Sequence, residues 1–174
     1  MKNIGLIIGT NRPNRIGKHI GDWISKQFNS KTLNLQVIDL ETENLPFLDE
    51  PNIPAEHNYM QEHTKQWSEK ISKLDGIIIL YPQYNWGYPA VLKNALDYLH
   101  TEWAGMPVST IVYGSHGGFQ AQIALNLVLR GLRMNVLSTN LGLTIDTKNF
   151  DISELEEYSA DVSTIQSEFE RLLN

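Results

Sequence analysis

Short continuous apolar runs alternate with stretches of helical spacing along this chain. Ile4 to Gly9 is an apolar run and predicts a first, buried strand. Ile16 to Phe28 carries Ile16, Ile20, Trp23, Ile24 and Phe28 on one helical face. Leu33 to Leu40 alternates through Leu33, Leu35 and Val37 and predicts a second strand. Glu41 to Ala55 holds Pro46, Pro51 and Pro54 and predicts a long loop, a kind of segment that tends to be functional. A helix is expected over Met60 to Leu74. Gly76 to Leu80 then reads GIIIL, too short for a helix and rich enough in β-branched residues for a buried parallel strand. Pro82, with no N–H for a ladder, ends it.

A helix is expected from Pro89 to about Leu99, with the proline in its first turn. Val108 to Tyr113 predicts a fourth strand, Gly114 to Gly118 a turn, and Phe119 to Leu132 a further helix. Val136 to Leu143 contains a short fifth strand. Ser153 opens a terminal helix, with Glu156 at capping-box spacing. There is no internal repeat. Strands alternating with helices five times imply a parallel sheet covered on both faces. A flavodoxin-like three-layer α/β sandwich with a five-stranded sheet of order 2-1-3-4-5 is the natural expectation, although the alternation alone does not fix the strand order. At 174 residues the chain fits one domain, taken as 1–174.

Composition narrows the function. The formal net charge is −6, against what phosphate-dominated nucleic-acid binding requires. There are no cysteines, which removes disulfides, thiolate metal sites and cysteine nucleophiles. No apolar run approaches the ~18 residues of a membrane helix. An apolar strand follows Met1-Lys2-Asn3 directly, without a signal-peptide pattern. The expectation is a cytoplasmic protein without nucleic-acid or membrane partners.

Candidate chemistry gathers in loops that follow strands. Gln83, Tyr84, Asn85, Trp86, Gly87 and Tyr88 crowd aromatics, amides and a glycine beyond the third strand. In open α/β sheets ligands bind at that carboxyl end, and such a surface suits a flat aromatic ring. Gly9 to Gly17, GTNRPNRIG, joins a strand to a helix start, where orphan N–H groups suit a phosphate. Arg12 and Arg15 add charge and Thr10 a hydroxyl. The loop is neither a Walker A nor a G-x-G-x-x-G sequence. Tyr113 to Phe119, YGSHGGF, follows the fourth strand, and its glycines permit close approach of a ligand to the backbone.

Other chemistries fail on the same residues. Ser115 beside His116 suggests a nucleophile elbow, yet Tyr113 stands where the elbow needs glycine and no histidine follows His116. His57 and His63 are six apart, off a common helical face, and complete no metal site. Asp49, Glu50 and Glu56 read as a solvated acidic loop.

The run P-x-Y-N-x-x-x-P-x-x-L-K-N-A-x-D is carried by Pro82, Tyr84, Asn85, Pro89, Leu92, Lys93, Asn94, Ala95 and Asp97. It resembles the signature of the NADPH-dependent FMN reductase family, which includes quinone, chromate and azo-dye reductases. The family usually has Glu where this chain has Gln83. Gly9, Thr10, Arg12 and Arg15 resemble the family's phosphate loop, and Gly114 to Gly118 its glycine turn beside the polar edge of the flavin. The resemblance runs from Asn3 to about Asp146. It implies FMN as cofactor, NADPH or NADH as co-substrate, and ping-pong reduction of a second acceptor such as free flavin, quinone, azo compound or metal oxyanion. It places Thr10, Arg12, Arg15, Ile16 and Gly17 around the phosphate. Pro82, Gln83, Tyr84 and Asn85 would line the ring, and Gly114, Ser115, His116, Gly117 and Gly118 would face its pyrimidine side. No acid–base side chain is assigned to catalysis. An FMN electron carrier without nicotinamide turnover is the alternative, although such carriers use a phosphate loop lacking arginines. The helices Pro89–Leu99 and Phe119–Leu132 are apolar beyond one face. With the family resemblance, this implies a homodimer or a tetramer built on them.

Overall fold

The computed structural model describes residues 1–173. The strands are β1 (Lys2–Ile8), β2 (Leu33–Asp39), β3 (Gly76–Pro82), β4 (Pro107–Gly114), β5 (Asn135–Val136) and β6 (Leu141–Thr144). The helices are α1 (Gly17–Gln27), α2 (Leu40–Glu43), α3 (Glu62–Ser72), α4 (Ala90–Asp97), α5 (Phe119–Gly131) and α6 (Ser159–Leu173). All pairings in the sheet are parallel, in the order β2-β1-β3-β4-β5, with β6 also on β4. This is the expected flavodoxin-like arrangement. The fifth position, however, is filled by two segments rather than by one strand over 136–143. Between them the chain bulges. The Asn140 side chain accepts the Thr110 N–H at 2.8 Å, replacing a ladder partner.

The alternation along β3 divides the core in two. Ile77, Ile79 and Tyr81 face α3, α4 and α5 through Trp67, Ile71, Leu96 and Leu125. Ile78 and Leu80 face α1 and α6 through Ile20, Ile24, Ile165 and Phe169. Every β3 residue is buried, which is why the segment reads as unbroken hydrophobic sequence. The edge strand β2 departs from its expected pattern. Leu33 is buried but Val37 is 46 % exposed, while Ile38 packs into the opposite core. An edge strand is covered only as far as the neighbouring helices reach.

Two local expectations are corrected. The terminal cap is Asp151 with Glu154, not Ser153 with Glu156. The Asp151 carboxylate accepts the Ser153 N–H at 2.8 Å, and a 3-10 segment (Ile152–Tyr158) precedes α6. The acidic loop is not simply solvated. Asp49 lies 2.9 Å from His63 Nε2 and 3.1 Å from the Tyr98 hydroxyl, and the His63 hydrogen bond leads in holding its carboxyl below the usual range. Glu50 accepts the Met60 and Gln61 N–H groups at 2.8 and 2.9 Å, just before α3. His57 approaches the buried carboxylate of Glu102 at 3.4 Å. These contacts strap the loop after β2 to the body.

Candidate functional site

The first loop leaves the sheet beyond β1, where the Gly9 N–H still donates to Leu80 O at 2.7 Å. Thr10 is fully buried, and its hydroxyl lies 3.1 Å from that of Tyr84. Helix α1 begins without a side-chain cap and without an acid in its first turn. Its orphan N–H groups and the positive end of its dipole therefore lack an internal counter-charge. Arg12 stands beside them, 5.8 Å over the Tyr84 ring, with no carboxylate at ion-pair distance among the described residues. A Cβ on Gly17 would lie 2.8 Å from the Tyr113 hydroxyl and 3.0 Å from Thr10 Cγ2. The packing at the helix start thus leaves no room for a side chain there.

Arg15, unlike Arg12, is engaged within the protein. Its guanidinium pairs with Asp39 at 2.5 Å and Glu41 at 2.6 Å, and the side chain is 8 % exposed. Burial by itself would loosen its proton, but hydrogen bonds to the two carboxylates raise the guanidinium pKa above its ordinary value. The two carboxylates neutralise the charge, and Arg15 braces the first loop against the end of β2. Ile16 is the N-cap residue of α1, and its side chain packs on the core.

The second loop continues the sheet through Gln83, whose N–H donates to Tyr113 O at 3.0 Å. Tyr84 and Gly87 then exchange two backbone hydrogen bonds of 2.8 Å, closing a two-residue hairpin. Both central residues are left-handed, Asn85 at φ 48° and Trp86 at φ 66°. That is the backbone of a type I′ turn, which asparagine tolerates and tryptophan does not favour. Trp86 is also 71 % exposed, so a strained aromatic stands at the rim. Pro89 is the N-cap of α4 rather than a residue of its first turn. Beyond it the motif residues serve the scaffold. Lys93 pairs with Asp97 at 2.6 Å, and Asn94 accepts the Leu48 N–H and donates to Pro46 O.

The third loop folds through Gly117 and Gly118, at φ 71° and 68°, and starts α5. Ser115 and His116 are exposed. The three loops meet in one cleft of about 320 Å³, lined by Arg12, by Pro82 to Tyr84, by Tyr113 to His116 and by Thr147. Asn85, Gly117 and Gly118 shape the loops behind this lining. Tyr113 and Thr147 were not among the expected contacts. Tyr113 was legible as the last strand residue before the glycine turn. Thr147 follows β6, where no motif marks the chain. Burial, with Tyr84 beside it, pushes the Tyr113 phenol upward, against the opposing pull of Arg12 and Arg15; it stays a neutral donor at physiological pH. No group of three acidic, histidine or cysteine residues suited to a metal occurs among the described residues.

An uncapped helix start, an unpaired arginine and an aromatic cleft at the switch point of a 2-1-3-4-5 sheet have the chemistry a nucleotide site needs. The donor set fits a phosphomonoester on a flat ring, as in FMN. Residues 2–148 match the family described as NADPH-dependent FMN reductase, and the chain belongs to that family. It is accordingly an NAD(P)H-dependent flavoenzyme. It is 38 % identical over 146 residues to the NAD(P)H-dependent FMN reductase LOT6 of Saccharomyces cerevisiae, spanning 77 % of this chain and 76 % of that protein. It is 26 % identical over 147 residues to an FMN-dependent NADPH-azoreductase of Staphylococcus haemolyticus, spanning 82 % and 77 %. Among solved structures, FerB of Paracoccus denitrificans, a flavoenzyme NAD(P)H:(acceptor) oxidoreductase, superposes with a TM-score of 0.78 over 98 % of each chain, at 18 % identity. At that identity the likeness is one of fold.

Proposed function

We propose that this protein binds FMN in the three-loop cleft and uses reduced nicotinamide to reduce a second small acceptor by a ping-pong cycle. A quinone, azo compound, free flavin or metal oxyanion would serve as acceptor. One observation carries the reading: the unpaired Arg12 and the uncapped α1 adjoin a cleft walled by Tyr84. FMN, when bound, supplies the electron-transfer chemistry. The protein orients it. Arg12 and the first N–H groups of α1 would hold the phosphate, with Thr10 fixing the Tyr84 hydroxyl. Tyr84 would wall the ring, and the turn at Gly114 to Gly118 would offer donors to its pyrimidine edge. Fixed donors at that edge favour a ring that gains negative charge. Reduced nicotinamide is an intracellular reductant, which agrees with a cytoplasmic workplace.

The purified protein is expected to be yellow and to release FMN, not FAD, on heating. A colourless protein that takes up no added FMN would overturn the reading. NADPH or NADH oxidation with an acceptor panel separates an enzyme from an electron carrier, since a carrier binds FMN without sustained turnover.

The assembly rests on α5. Phe119, Ile123 and Leu127 repeat every four residues and are 63 %, 49 % and 70 % exposed. Such a stripe is characteristic of a contact surface. Helix α4 does not share it, because Leu92, Ala95 and Leu96 are buried within the subunit. We therefore place the contact of a homodimer, or of a dimer pair, on α5 rather than on both helices. Light scattering on the FMN-loaded protein should give at least twice the subunit mass of 19.8 kDa. A monomer at micromolar concentration would refute this.

A further inference from the structure

We infer that Gln83 sets the redox balance of the flavin cleft by a divided side chain: its carbonyl is docked on α5 while its neutral amide nitrogen is left to the bound ring. This inference rests on the FMN reading above.

The carbonyl half is fixed by chemistry. The Ala121 N–H lies in the first turn of α5 and donates to Gln83 Oε1 at 3.1 Å. An N–H can be met only by an oxygen, so the orientation of the amide follows. The bond satisfies one of the orphan donors of a helix whose N-cap, Gly118, has no side chain. It also ties the second loop to the third. The nitrogen half has no hydrogen-bond partner among the described residues, and Gln83 lines the cleft. That leaves two neutral N–H donors for a ligand.

Glutamate, the residue usual in the resemblance, has the same shape and differs here in one atom and one charge. One carboxylate oxygen would keep the Ala121 N–H, favoured further by the helix dipole. The other would replace the donors with an anion. Two electrons and one proton, taken from reduced nicotinamide, add one negative charge to the bound ring. A carboxylate beside it disfavours that gain, whereas a neutral donor assists it. Gln83 thus favours the reduced cofactor more than the acidic residue would, and does so without losing the cap on α5.

The test uses the FMN-loaded protein and its Gln83→Glu and Gln83→Met variants, equilibrated with reference dyes at neutral pH. In Q83E the preference for reduced over oxidised FMN should fall by about tenfold or more, a midpoint some 30 mV lower for a two-electron couple. Apo-Q83E should melt within a degree or so of the wild type, and apo-Q83M clearly lower, because only methionine leaves the Ala121 N–H without an acceptor. A yellow Q83E with an unchanged midpoint would overturn the tuning role. An apo-Q83M as stable as wild type would overturn the docking on α5. Wild-type protein that binds no FMN would remove the parent reading as well, so the two failures are told apart.

Discussion

Replacing Arg12 by alanine should weaken FMN binding by about 10- to 100-fold. The estimate is that of one charge-assisted hydrogen bond, about 1.5–3 kcal/mol, converted at about 1.4 kcal/mol per decade. Arg12 qualifies because its guanidinium lies over Tyr84 and has no carboxylate partner among the described residues, so its charge is available to a ligand. Arg15→Ala is the informative contrast. Its guanidinium is tied to Asp39 and Glu41, so its removal should act mainly on stability and leave affinity within a few-fold. Arg12→Lys should recover part of the loss, since a point charge replaces a planar fork. Fluorescence titration of FMN against the three variants checks the ranking. Equal losses for Arg12→Ala and Arg15→Ala would place the phosphate elsewhere.

Replacing Gly118 by alanine should cost about 2–5 kcal/mol of stability. Gly118 holds φ 68° at the start of α5, and a left-handed conformation costs an L-residue about 1–2 kcal/mol. A Cβ there would also collide with Val112 Cγ2. Val112 is fully buried on β4, so relief requires shifting the core, which typically costs about 1–3 kcal/mol. Total stabilities are about 5–15 kcal/mol, so much of the fold is at stake. With a urea slope of about 1–3 kcal/mol/M, the midpoint should fall by about 1 M or more. Gly118 closes the turn whose residues Gly114 to His116 line the cleft, so FMN binding should weaken alongside. Gly131→Ala is the control. It ends the same helix with nothing within 4 Å of its added Cβ, and should be neutral or stabilising by up to about 1 kcal/mol. A Gly118→Ala variant as stable as Gly131→Ala would refute the packing argument.

The class of fold and the place of the candidate site can be read along the chain. Continuous apolar runs such as Gly76 to Leu80 become β3, buried on both faces, because only a strand covered by helices on either side needs side chains apolar at every position. The order of loops was legible for a related reason. Backbone that must end a strand, turn and start a helix needs proline, glycine and polar residues at fixed offsets, and Pro82, Gly87 and Gly118 stand there. The partners of side chains across distant segments emerge only when the elements pack together. Arg12 and Arg15 are equivalent in the sequence of their loop, yet Asp39 and Glu41 reach one and not the other. Gln83 stands where the family usually has Glu, and only the fold brings the Ala121 N–H to its carbonyl. The apolar excess of α4 was absorbed within the subunit while that of α5 was left exposed. Spacing along a chain fixes which residues share a face, but which neighbour that face meets is set by the packing of elements far apart in sequence.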